Sequence, residues 1–158
     1  MFGDINIMMY GNKLKNLRER NGLTQEELGK HINVTKQAFH HFEKEYTIIP
    51  IKHLNELCNF FNVSLDYIFE FTTLNQYKNT KLEINPEIMK NRLKEFRKEN
   101  KLSQEKLADL LKVVKGTIGN YETARSIIAT PFLYTICKKY NISADYLLGK
   151  TDSPKYLK

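Results

Sequence analysis

Cysteine is scarce: Cys58 and Cys137 stand alone in 158 residues and no CxxC joins them, which argues against a disulfide scaffold and for a reducing compartment. No apolar run approaches the roughly 20 residues that a bilayer span requires. The opening MFGDINIMMYGN has no basic start and no long apolar stretch, so it does not read as a signal peptide and a cytosolic location is expected. No Gly-rich phosphate loop, nucleophile elbow or HExxH is found, which leaves neither an enzyme nor a bound cofactor with a foothold. All four histidines, His31, His40, His41 and His53, fall in the first half together with Cys58. They lack the short, converging spacings of a zinc site, so no metal is expected. Sustained period-two alternation is missing as well, which speaks against a sheet.

What is present begins with charge. Lys and Arg outnumber Asp and Glu by 25 to 18, for a formal +7 and a pI near 9.3, a balance that favours a polyanionic partner. A hydrophobic fraction of 41% excludes wholesale disorder.

The chain also matches itself. At an offset of 79, the segment from Leu14 to Thr72 aligns without a gap with Leu93 to Thr151, and about 20 of 59 paired positions are identical. GLTQEELGKHINVTKQAFHHFE at 22–43 pairs with KLSQEKLADLLKVVKGTIGNYE at 101–122, and CNFFNVSLDYIF at 58–69 with CKKYNISADYLL at 137–148. This is one small unit written twice. The polar stretch between the copies suits a linker, placing a first domain at 1–72, a linker at 73–84 and a second domain at 85–158. Asn85-Pro86-Glu87 supplies an N-cap, a first-turn proline and a first-turn acid for the next helix.

Spacing within each copy is helical. Met89, Leu93 and Phe96 stand at i, i+4 and i+7, and Leu107 and Leu111 at i and i+4. Leu54, Leu57, Cys58 and Phe61 form an apolar stripe that Leu133, Ile136, Cys137 and Tyr140 repeat, so the two thiols are expected to be buried. Thr24 and Ser103 are set to cap the helices that follow, Thr24 with Glu27 as a capping box. The expected fold is all-α, with four to five short helices per copy.

A short helix from Gln25, a turn at Ile32-Asn33-Val34 and a second short helix after Thr35 have the proportions of a helix-turn-helix. The motifs Leu17-Arg18, Leu23-Thr24-Gln25-Glu26-Glu27-Leu28, Val34-Thr35, Phe42-Glu43 and Val63-Ser64-Leu65-Asp66-Tyr67 resemble the phage repressor/Cro-like helix-turn-helix family. So do Phe96-Arg97, Leu102-Ser103-Gln104-Glu105, Tyr121-Glu122 and Tyr146-Leu147-Leu148-Gly149-Lys150-Thr151-Asp152 in the second copy. The resemblance covers nearly all of both repeats. It implies two tandem lambda-repressor-like domains, a DNA-binding transcriptional regulator, and recognition helices at about 36–44 and 115–122 that enter the major groove.

Carried over by position, the resemblance assigns Gln25 and Gln104 to the start of the second helix, Gln25 contacting phosphate and bracing the recognition helix. Lys36, Gln37 and His41 face base edges, where Lys suits guanine acceptors and Gln suits adenine. Thr35 caps the reading helix. The family pattern makes Arg18 with Glu43, and Arg97 with Glu122, structural ion pairs, and makes Asp66-Tyr67 and Asp145-Tyr146 first-turn and packing residues of the fifth helix. For Lys36 and Gln37 a merely solvated face is the bland alternative.

The copies are unequal. Residues 13–72 hold eight basic and eight acidic side chains, residues 92–151 twelve and six. Phosphate attraction is the sequence-independent part of DNA affinity and base contacts are the specific part, so the second copy is suited to hold DNA and the first to read it. In the second copy Lys112 stands where a left-handed turn is expected, Val114 replaces the cap of Thr35, and Gly116 and Gly119 weaken the helix. Lys115, Thr117 and Asn120 remain for reading, with Lys112, Lys115 and Arg125 to neutralise phosphate. Two readings of the glycines stand side by side. Either Gly116 and its neighbours let backbone N–H groups approach DNA, or they form a flat face for a second copy or another protein, as in an antitoxin-like or anti-repressor module. Twelve linker residues span about 40 Å when extended, and successive major-groove faces lie about 34 Å apart. A linker of this reach just permits both heads to dock on one duplex, as a covalent stand-in for the usual repressor dimer. Protonation of the histidines below a pH of about 6.5 is expected to strengthen binding by the first copy.

Overall fold

The computed structural model describes residues 8–156. The outer ends of the expected domains at 1–72 and 85–158, and most of the stretch read as lacking a signal peptide, lie outside the described residues. Ten helices and no strand are found among the described residues. The first repeat contains α1 (Gly11–Arg20), α2 (Gln25–His31), α3 (Lys36–Glu43), α4 (Ile51–Phe61) and α5 (Leu65–Ile68). The second contains α6 (Pro86–Glu99), α7 (Gln104–Leu111), α8 (Lys115–Tyr121), α9 (Thr130–Tyr140) and α10 (Ala144–Leu147). The all-α expectation holds, with five helices per copy.

Local sequence explains where these helices begin. Thr24, Thr35, Ser64, Asn85, Ser103 and Ser143 each accept the N–H three residues on with a side-chain oxygen, satisfying a donor that the helix itself leaves free. Pro86 occupies the first turn of α6, as its fixed φ favours. Helix α1 has no cap of its own; the Glu45 carboxylate accepts the N–H groups of Met9, Tyr10 and Gly11 at 3.1, 3.0 and 2.8 Å. That places a negative charge at the positive end of the helix.

Turns repeat with the same period as the sequence. Gly22 and Lys101, Asn33 and Lys112, Glu45 and Ala124, Asn62 and Asn141, and Glu70 and Gly149 are all left-handed, with φ between 52° and 79°. The backbone has kept a conformation at each pair even where the residue that suits it best, glycine or asparagine, has been lost.

The apolar stripes pack inward as expected. Leu54, Leu57 and Cys58, and Leu133, Ile136 and Cys137, are fully buried, while Phe61 and Tyr140 lie half-buried at the edge. Met89, Leu93, Phe96, Leu107 and Leu111 are buried too. These side chains belong to one core that continues from the first repeat into the second.

The linker takes part in that continuity through Ile84, which packs against the shared core. Residues 73–84 lie against both repeats. The Asn75 carbonyl accepts the Ser64 N–H, the Leu82 carbonyl accepts the side-chain amides of Asn55 and Asn59, and the Lys81 N–H donates to Lys150 O. Lys150 is fully buried, its ammonium donating to Asn55 Oδ1 at 2.5 Å and Asn59 Oδ1 at 3.3 Å on α4. As expected, Asp66 and Asp145 stand in the first turns of α5 and α10, where both are fully buried. Asp145 accepts the N–H groups of Leu65 and Asp66 at 3.0 and 2.8 Å, and Asp66 accepts the Ala144 N–H at 2.7 Å. Each aspartate thus caps the short helix of the other repeat. The physical reason is length: a four-residue helix offers its free N–H groups to whatever acceptor packs against them.

Candidate nucleic-acid interface

Each reading helix is held from behind by the same three side chains. Arg18 on α1 donates through Nε and Nη2 to both oxygens of Glu43 on α3, at 2.8 and 2.9 Å, and through Nη1 to Leu23 O. Arg97 does the same to Glu122 at 2.7 and 2.9 Å and to Leu102 O. The carboxylates are only 2% and 3% exposed, and fork-to-fork pairing of this kind fixes angle as well as distance. Hydrogen bonding to Glu43 and Glu122 is the main cause that holds both guanidinium groups above their ordinary pKa. The structural ion pairs expected from the family pattern are thus present in both copies.

The glutamines at the starts of α2 and α7 complete the brace. Gln25 Nε2 reaches Glu43 Oε1 at 3.2 Å and His40 Nδ1 at 3.2 Å, and Gln104 Nε2 donates to Glu122 Oε1 at 3.4 Å. Gln25 therefore ties α2 to α3, and His40 is drawn into this brace. His40 and His41 both lie half-buried and pack near Tyr46, whose ring is exposed.

On the outer side, Thr35, Lys36 and Gln37 are exposed in sequence at the start of α3, with Phe39 buried behind them. The Thr35 hydroxyl accepts the Ala38 N–H at 3.1 Å. A shallow groove beside them is bordered by Lys15, Thr24, Gln25, Lys36, His40 and Lys44. Its bases outnumber its acids, which suits a phosphate strand passing between α2 and α3. Lys15 and Lys44 were not among the residues singled out from the sequence; their signal would have been their position flanking the helix-turn-helix.

The second copy keeps the frame and changes the surface. Lys112, Lys115, Gly116, Asn120 and Arg125 are exposed and Thr117 is half-buried, while Ile118 and Tyr121 point into the core. Val114 has no side-chain cap to give and stands 74% exposed. No described atom lies within 4 Å of where a side chain would begin at Gly116 or Gly119, apart from chain neighbours and the helix backbone. Lys115 lies 3.8 Å from Glu105, both of them exposed. Among the described residues no cluster of three potential metal ligands is found, and no helix is long and apolar enough to cross a membrane.

Comparison with known proteins agrees with this geometry. A helix-turn-helix family model matches residues 14–68 and a helix-turn-helix domain model matches residues 91–153. The chain is 36% identical over 63 residues to YobD of Bacillus subtilis (strain 168), described as an uncharacterized HTH-type transcriptional regulator; the match covers 40% of this chain and 56% of that protein. It is 33% identical over 61 residues to the HTH-type transcriptional regulator ImmR of the same organism, covering 39% of this chain and 48% of that one. The chain thus spans about half the length of these two relatives. No solved structure gives a significant match. The chain thus carries two helix-turn-helix domains in tandem and is similar, over about two fifths of its length, to HTH-type transcriptional regulators of Bacillus subtilis.

Proposed function

We propose that the protein binds double-stranded DNA by sequence and regulates transcription as a repressor, in the cytoplasm and without catalysing a reaction. The observation that carries this reading is α3: Lys36 and Gln37 stand outward at the start of a helix fixed from behind by Arg18, Glu43 and Gln25. In that position Gln37 and Lys36 pair with base edges, His41 adds a further contact, and the capped N-terminus at Thr35 faces phosphate. Residues 1–72 and 85–158 act as the two domains, joined by 73–84. In the second, Gln104, Lys112, Lys115, Gly116, Thr117, Asn120 and Arg125 form the DNA-facing surface.

Binding of the full chain to short duplexes tests the reading. One duplex is expected to be bound tightly, with log affinity falling linearly against log salt, and Gln37→Ala is expected to abolish the preference among sequences. Weak binding that ignores sequence contradicts it.

A second reading is favoured by one feature. Val114, Gly116 and Gly119 leave an unusually bare helix, and such a face accepts another helix of a second copy or of an unrelated protein. Under that reading Lys112→Ala and Arg125→Ala leave DNA affinity unchanged, whereas Gly119→Lys blocks self-association in sedimentation.

A further inference from the structure

The seam between the repeats is made by exchange. Leu65 and Asp66 donate their N–H groups to Asp145, while Ala144 and the Ser143 hydroxyl donate to Asp66. Shifted by the repeat offset, Ser143, Ala144 and Asp145 are Ser64, Leu65 and Asp66. Each repeat therefore offers the surface that it receives. The neighbouring contacts are exchanged as well: Phe71 of the first repeat stacks on Tyr134 of the second with ring centroids 5.4 Å apart, and their equivalents Lys150 and Asn55 meet across the same seam at 2.5 Å. Reciprocal contact of one patch with its own counterpart is the mark of a two-fold arrangement, whereas head-to-tail packing joins two different patches.

We infer that the two helix-turn-helix units are related by an internal pseudo-two-fold axis. A single chain therefore occupies a DNA site made of two inverted, unequal half-sites. The inference rests on the DNA-binding reading above and adds to it the arrangement and stoichiometry of the site. Heads related by a two-fold address the duplex in opposite directions, which is why two-fold proteins match inverted repeats. The self-complementary patch is consumed within the chain, since Ser64, Asp66, Ser143 and Asp145 are all buried. A second copy has no access to it. The seam is further locked by Thr130, which donates to Ile49 O at 2.6 Å, and by buried Lys150, which donates to Asn55 on α4.

Inequality follows from the two surfaces. Helix α3 presents Lys36 and Gln37, and α8 presents Lys115, Gly116 and Asn120 between Lys112 and Arg125. The first half-site is read by side chains. The second is held mainly through phosphate, which carries no sequence information.

Selection of bound sequences from a pool of random duplex DNA by the full chain tests this, followed by sedimentation of the complex with the best duplex. The expected result is an imperfect inverted repeat bound by one chain. A wrong base in the strong half should cost about tenfold in affinity or more, a wrong base in the other half only a few-fold, and Gln37→Ala should level the strong half alone. A direct repeat, a single half-site, or two chains on one site would overturn the inference while leaving DNA binding in place. A pool with no enriched sequence would overturn both, since it would remove the reading on which the inference rests.

Discussion

Helices α3 and α8 begin at equivalent backbone positions, yet one starts from Thr35, whose hydroxyl caps it, and the other from Val114, which has nothing to offer. The turns before them are both left-handed, at Asn33 in one copy and Lys112 in the other. After them, Glu45 and Ala124 adopt the same left-handed conformation, but only Glu45 has a task there, since its carboxylate caps α1. In the second repeat Asn85 caps α6 instead, and Ala124, whose methyl group can accept nothing, keeps the left-handed conformation. Duplicated copies thus preserve the frame that fixes the reading helix, the Arg–Glu–Gln brace, and diverge in caps, turns and outer surface.

Removing the brace should give the largest effect. Glu43→Ala and Glu122→Ala each leave a guanidinium without its partner in a largely buried site and should cost about 3 kcal/mol in urea unfolding. The two losses should be similar because the geometries are; a clearly unequal pair would break the claim of a shared frame. Exchanging the caps comes next: Thr35→Val should cost about 1 kcal/mol and Val114→Thr should gain about as much. Relieving the turns is smaller. Lys112→Gly and Ala124→Gly should each stabilise by a net of about 0.5 kcal/mol, strain relief being partly offset by the freer unfolded chain.

The seam adds a prediction of direction alone. Burial, and then the nearby Asp145 carboxylate, push the Asp66 pKa up to about 8. A carboxyl group whose folded pKa is raised stabilises the fold most when protonated. Its contribution is full below the ordinary carboxylate pKa of 3.8 and is lost as pH rises toward about 8. Relative to Asp66→Asn, the wild-type protein should gain unfolding stability as pH falls from 8 to 5. The amide is a fair comparison because the Ser143 and Tyr77 hydroxyls that meet Asp66 can accept as well as donate.

Most of the fold was legible in the sequence because it is local. The capping hydroxyls of Thr24, Thr35 and Ser103 and the heptad-like spacing of Met89, Leu93 and Phe96 act within a few residues of where they are read, and the offset of 79 carries the same local signals from one copy to the other. The Arg18 and Glu43 pair was legible only through the resemblance, since nothing in their spacing demands contact. The seam was not legible. Asp66 and Asp145 stand where any helix welcomes an acid, so their pattern looks self-sufficient until two short helices are placed end against end. Lys150 was hidden for another reason: lysine is rarely buried, and its acceptors Asn55 and Asn59 lie far earlier in the chain. For the reading surface, position was legible through the helix-turn-helix pattern, and the half-buried state of His41 and Thr117 was not.

The division of labour between the repeats is tested most directly by salt titration of DNA binding with Lys112, Lys115 and Arg125 all changed to alanine, beside Gln37→Ala. For the triple variant the account predicts that the slope of log affinity against log salt falls by about one per cation removed, with the order of preferred sequences unchanged. For Gln37→Ala it predicts an unchanged slope and a lost preference. A triple variant that keeps the wild-type slope, or that loses its sequence preference, would contradict it.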